Sequence, residues 1–367
     1  MSRKQKNKTK NNVGLKVLLT ILIILIIGAI VLLAMKIVEG NNKELPVSET
    51  ETPIIEEQKE VQIFKGNDRP IAVMIDNHED AWPQANLNKA YIVYEIIVEG
   101  GETRLMAIFK GQDLDKIGPI RSSRHYFLDY ALENDAIYVH YGWSPLAESV
   151  IKTYKVNNIN GLVQSAKDFW RAKDKYAPHN AVSNTENILN IAEKSNYRLT
   201  STEDSVLNYV TDEVNLESGE SAIKVTIPFS TLQTVSYEYD DVNKVYKRYA
   251  RKELQTDWDT GEAVTAKNLI ITFAENYTLS DSENKGRQGL KNTGTKNGYY
   301  ITNGNAIKIT CEKSSRTEKT IYKDLEGNEI NVNDGNTFIE ICPLDAKVVI
   351  EGVPEVTATP NTNTTVE

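Results

Sequence analysis

Four histidines, His78, His125, His140 and His179, all fall in the first half of the chain, each in a segment dense with other polar groups. Imidazole changes charge near neutral pH, so such a cluster can supply acid–base chemistry. Asp76–Asn77–His78 follows directly on the apolar run Ile71–Ile75. That is where α/β sheets place ligand-binding residues, beyond the carboxyl end of a strand. His140 ends an alternating stretch and runs into Tyr141–Gly142–Trp143, while Ala177–Pro178–His179–Asn180 reads as a loop by its proline. If the chain is an enzyme, Asp76, His78 and His140 are the candidate proton carriers.

Gly118–Pro119–Ile120–Arg121–Ser122–Ser123–Arg124 is a second constellation. Gly and Pro break the preceding strand, and Ser122 or Ser123 can cap the helix that follows. Arg121 and Arg124 would then flank free helix amides, a place that attracts anions, and guanidinium adds bidentate pairing to phosphate or carboxylate. Arg104 can supply a third such group. The expected ligand-binding set is Arg104, Arg121, Ser122, Ser123, Arg124, His179 and Asn180. Internal salt bridges to Asp76, Glu95 or Glu102 are the plainer use of the same arginines. His125 and Asp129 stand four apart and would share a helix face. The chain has no H-E-x-x-H zinc spacing, P-loop, G-x-S-x-G elbow or G-x-G-x-x-G, so no metal and no cofactor is expected.

Several elements must position these residues. Ile71–Ile75, Tyr91–Val98 and Leu105–Phe109 are nearly continuous apolar runs, the pattern of strands buried on both faces. Ala136–Tyr141 alternates as a strand, Phe127, Leu128, Ala131 and Leu132 recur at helical spacing, and a helix is expected over Thr185–Lys194 with Ser183 and Glu186 as a capping box. Strands interleaved with helices predict an α/β domain with a mixed, layered sheet. The later half reads instead as a mainly antiparallel β domain, a twisted sheet or small barrel. Its short runs, such as Val235–Tyr239, Lys244–Tyr249 and Ile307–Cys311, are punctuated by turns including Asn303–Gly304.

Arg3, Lys4, Lys6, Lys8, Lys10 and Lys16 precede an uncharged apolar run from Val17 to Met35. Nineteen residues at helical rise span roughly 28 Å, enough to cross a bilayer once. The run exceeds a usual signal-peptide core and has no convincing A-x-A cleavage site, so it is read as an uncleaved anchor. The basic flank puts the N-terminus in the cytoplasm and the bulk outside. The expected layout is a basic tail over 1–16, a transmembrane anchor over 17–38, a disordered acidic tether over 39–61 and an α/β domain over 62–200. A linker over 201–221, a β-rich domain over 222–353 and a disordered tail over 354–367 complete it. Net charge of −9 argues against a nucleic-acid partner. Cys311 and Cys342 each lie in an alternating run; if those runs are neighbouring strands the two can bridge, and otherwise they are small buried side chains.

Taken in order, Arg69–Pro–Ile–Ala–Val–Met–Ile–Asp–Asn77, Val98–Glu–Gly–Gly–Glu–Thr–Arg–Leu–Met–Ala107, Ile117–Gly–Pro–Ile–Arg–Ser–Ser–Arg124, Tyr138–Val–His–Tyr–Gly142, Ala177–Pro–His–Asn–Ala181 and Gly298–Tyr–Tyr–Ile–Thr–Asn–Gly304 resemble the YerB-like lipoprotein family. The resemblance covers nearly all of the chain beyond the tether. It implies an extracytoplasmic, envelope-associated protein of two domains of unknown function, and it transfers no activity. The chain departs from the lipoprotein pattern, having no cysteine just after the apolar run. The favoured function is a membrane-anchored envelope protein that binds an anionic small molecule, a cell-wall component or an envelope protein partner through its α/β domain. The alternative is an extracytoplasmic hydrolase or transferase acting on a phosphorylated or glycan substrate.

Overall fold

The computed structural model describes residues 13–41, 59–280 and 283–352. Arg3 to Lys10, most of the expected tether and the terminal tail lie outside the described residues. Val13–Asn41 forms helix α1, whose stretch Val17–Lys36 is long and apolar enough to cross a membrane, with its side chains exposed. The chain from Lys59 onward is a separate unit.

That unit is built on a mixed sheet of eleven strands among the described residues. The first segment contributes β1 (Ile71–Asp76), β2 (Ile92–Ile97), β3 (Thr103–Phe109), β4 (Ile137–His140) and β5 (Asn158–Asn160). The second contributes β6 (Lys224–Pro228), β7 (Thr234–Asp240), β8 (Val245–Ala250), β9 (Asn268–Ala274), β10 (Gly294–Thr302), β11 (Asn305–Lys313), β12 (Ile321–Lys323), β13 (Thr337–Pro343) and β14 (Val349–Glu351). The main sheet runs β12–β11–β10–β9–β13–β2–β3–β1–β4–β5. Strands from both segments therefore share one hydrogen-bonded ladder, joined where β13 lies parallel to β2 with Glu340 opposite Glu95. The second sheet is antiparallel, in the order β8–β7–β6–β14. The architecture is the α/β layered sheet plus mainly antiparallel β region that the patterning predicts. In the later half β13 departs from this, parallel to both neighbours and buried along its whole length.

Alternation along β1 explains the layers. Ile71, Val73 and Ile75 pack with α4 (Thr185–Lys194) and the second sheet, whereas Ala72 and Met74 pack with α2 (Phe127–Glu133) and α3 (Pro145–Thr153). Both faces are covered, which is why these strands read as continuous apolar runs. Helix α4 has its expected bounds, but Asn184 caps it, accepting from the Asn187 amide at 2.8 Å, and Ser183 instead donates to the Asp168 carbonyl. Helix α3 was not expected; Ser144 and Pro145 are its cap and first residue, a signal the short apolar stripe hid. Asn303 and Gly304, both at positive φ, make the hairpin turn between β10 and β11.

Cys311 and Cys342 are buried and free. Strands β10 and β9 separate their strands, and the two thiols pack in different cores, so they cannot bridge.

Candidate functional site

The segment after Gly118 threads between the ends of β1 and β4. The Asp76 amide donates to the Pro119 carbonyl (2.8 Å), the Arg121 amide to the Met74 carbonyl (2.9 Å), and the Tyr141 amide to the Arg121 carbonyl (2.9 Å). Gly118 has φ +139, and a Cβ there would sit 2.9 Å from the Ala181 carbonyl oxygen, so only glycine fits the approach. This threading carries Arg121 to the carboxyl end of β1. Arg104 is brought to the same place by register, since it pairs with Asp76 across β1 and β3.

A cleft of about 520 Å³ opens there. Asp76, His78, Arg104, Arg121, Ser122, Arg124 and His179 all line it, so seven of the ten residues singled out in the sequence converge on one hollow. Glu99, Glu102, Trp143, Lys285 and Arg287 line it as well. The first pair lies within the Val98–Arg104 motif, but Lys285 and Arg287 belong to a polar stretch far along the chain that carries no signal of the site.

Three candidates stand elsewhere. His140 is fully buried, with Nδ1 2.8 Å from the Gly142 carbonyl oxygen and Nε2 3.1 Å from Asn158 Oδ1. Burial lowers its pKa against those two bonds, so it is a neutral structural histidine with no route to a substrate. Ser123 is buried beneath the cleft, its Oγ accepting from the Tyr138 hydroxyl at 2.8 Å. Asn180 staples its own loop, donating to the Ala172 and Lys175 carbonyls at 3.0 Å each and so fixing where His179 stands. The expected serine cap does not form either: α2 starts only at Phe127, Tyr126 is its uncapped entry, and Ser122 Oγ donates to the Tyr141 carbonyl. The cleft therefore owes its character to side-chain charge, not to a helix terminus.

That charge is unequal. Five arginine or lysine side chains face three carboxylates. Arg121 Nε lies 3.2 Å from Asp76 Oδ2, Arg124 Nε 2.6 Å from Glu99 Oε1, and Glu102 pairs with Arg251 from outside the cleft. Burial pushes the Glu99 carboxyl up, but the Arg124 bond and the charges of Arg124 and Arg104 outweigh it, leaving the carboxyl below its ordinary value. Arg104 is different: it is buried, it donates to the Ser122 carbonyl (2.7 Å), and no carboxylate among the described residues lies within ion-pair distance. Burial and the Arg124 charge lower its pKa to about 10. Asp76 also accepts from the His78 amide and lies 2.8 Å from His179 Nδ1, and the His78 and His179 rings stack at 4.4 Å. Asn77, beside it, is locked by bonds to Glu95 (3.1 Å) and Thr103 (2.8 Å).

His125 does not pair with Asp129, whose carboxylate is taken by Arg316 and Asn292. Burial, then the charges of Arg316 and Arg124, lower the His125 pKa from 6.5 to about 4. Its unfolded form thus takes up a proton first as pH falls, and stability is lost between those two values. His125→Gln is expected to remove about 1–3 kcal/mol of that acid-side loss, read from urea unfolding at pH 7 and pH 4.5. Equal losses in both proteins would clear His125 of the effect.

A mixed α/β sheet, an antiparallel β region and an N-terminal helix long and apolar enough to cross a membrane define the class of fold. Residues 56–198 match the model described as "Protein of unknown function (DUF3048) N-terminal domain", and residues 225–339 match "Protein of unknown function (DUF3048) C-terminal domain". A Bacillus subtilis (strain 168) protein named "Putative lipoprotein YerB" is 31% identical over 77% of this chain and 84% of its own length. The crystal structure of YerB from Bacillus subtilis superposes with a TM-score of 0.69, covering 77% of this chain and 94% of that one. The chain belongs to this YerB-like family, whose function is unknown.

Proposed function

We propose that the protein is held in the cytoplasmic membrane by α1, with its bulk outside, and that it binds an anionic ligand of the cell envelope in the cleft beside Asp76. Arg104 carries this reading: a buried guanidinium that donates to a carbonyl and, among the described residues, has no carboxylate within ion-pair distance, in a hollow lined by five basic and three acidic side chains. A phosphate or carboxylate group entering the cleft would accept from Arg104 and compete for Arg121 and Arg124. Pyrophosphate and tricarballylate serve as probes in calorimetry on the full-length chain in detergent. Binding is expected to weaken by at least about 10-fold in Arg121→Ala with Arg124→Ala, each lost charged hydrogen bond being worth roughly 1.5–3 kcal/mol. It should also weaken as salt rises. Binding that survives the double substitution would sink the reading.

A second reading, an extracytoplasmic hydrolase or transferase for a phosphorylated or glycan substrate, is favoured by the 2.8 Å approach of Asp76 to His179 Nδ1. A carboxylate so placed orients an imidazole to move a proton at its other nitrogen. His179→Ala would then abolish turnover of a phosphorylated glycan while leaving most of its binding.

A further inference from the structure

His78, Asp80 and His179 bring one donor atom each to within 4.8 Å of one another. Asp80 Oδ2 lies 3.5 Å from His78 Nδ1 and 4.0 Å from His179 Nε2. A zinc-sized ion with bonds of roughly 2.0 Å in tetrahedral array needs donors about 3.3 Å apart, so closing the set requires the stacked His78 and His179 rings to swing apart until both lone pairs meet at the ion. The remaining shell is also in place. Asp76, nearly fully buried, lies 2.8 Å from His179 Nδ1, the carboxylate–histidine arrangement that fixes the ring and leaves Nε2 bare. The Asp80 amide donates to His78 Nδ1 at 3.2 Å, so that nitrogen is the unprotonated one, and an ion would take its lone pair in place of this long bond.

We propose that His78, Asp80 and His179 form a binding site for one divalent transition-metal ion of the zinc class, with Asp76 as the positioning residue for His179. Two imidazoles and one carboxylate favour zinc, cobalt or nickel over magnesium or calcium, which take oxygen donors. Three protein donors leave further coordination open to solvent or a ligand, and both histidines border the cleft. Spacing rules overlook the set because one loop supplies His78 and Asp80 and a distant one supplies His179.

The test uses the full-length chain in detergent, tag removed, stripped with EDTA and titrated with Zn²⁺ or Co²⁺ in the absence of any added anion. About one ion per chain is expected, with the visible absorption of low-coordinate Co²⁺. Asp80→Ala should weaken binding by at least about 10-fold and Asp76→Asn by about 10–100-fold, the range for removing a partner of a ligating histidine. Asp80 is 65% exposed, so its loss cannot be confused with misfolding. His125→Gln should keep its ion. No retained ion, or equal retention by wild type and Asp80→Ala, overturns the site and leaves the anion reading untouched.

Discussion

Arg104→Met is expected to make the protein more stable while removing its affinity for pyrophosphate. A guanidinium whose pKa drops from 12.5 to about 10 is penalised by the folded state, at 1.36 kcal/mol per unit about 3 kcal/mol in all. Losing the bond to the Ser122 carbonyl returns about 1–2 kcal/mol of that. The net is a gain of about 1–2 kcal/mol, seen as a higher urea midpoint at unchanged slope. Affinity should fall by at least about 10-fold, since the group best placed to meet the anion is gone. This opposition is characteristic of a binding site held in a strained electrostatic state. A variant that is less stable and still binds would make Arg104 a structural residue.

Arg248→Met should have the larger effect on folding, a loss of about 3–5 kcal/mol, because it leaves a buried carboxylate without its partner. Arg248 and Glu95 are both fully buried and paired, and Arg248 Nε also donates to the Tyr237 hydroxyl at 3.2 Å. Burial disfavours the Arg248 charge, but Glu95, Tyr237 and Glu340 restore it, and its pKa is raised. Burial and the nearby Glu95 push the Glu340 carboxyl well above its ordinary value. Taking the guanidinium away leaves Glu95 facing Glu340 with no counter-charge. Glu95→Gln added to Arg248→Met should recover most of the loss, a coupling of about 2–3 kcal/mol in a double-mutant cycle. Additive losses would mean that packing, not charge, dominates there. Glu95 belongs to β2 and Arg248 to β8, so the pair also ties the two segments together; residues 59–352 are expected to melt in one transition.

Much of the frame was legible because its rules are local. Strands β1 and β3 announced themselves as apolar runs covered on both faces, α4 by its period, and the β10–β11 turn by Asn303–Gly304. Apolar α1 was legible for the same reason. Convergence of Asp76, His78, Arg121, Arg124 and His179 could be suspected only from their places at strand ends and loops. The failures lie where one residue type serves several ends. His140 and Ser123 have the right chemistry for a site but are buried: alternation along β4 says which residues share a face and not which face is open, and Ser123 lies in a connection with no period to read.

The residue types and their period, by themselves, determined a helix long and apolar enough to cross a membrane, an α/β region, a β region and a supply of arginines and histidines. Tertiary structure alone decided that β13 inserts beside β2, that Lys285 and Arg287 reach the cleft, and that Arg104 ends up buried with the Ser122 carbonyl as its hydrogen-bond partner. Periodicity is written in neighbouring residues, whereas charge pairing and strand insertion depend on contacts between positions tens to hundreds of residues apart, which only closure of the chain brings together.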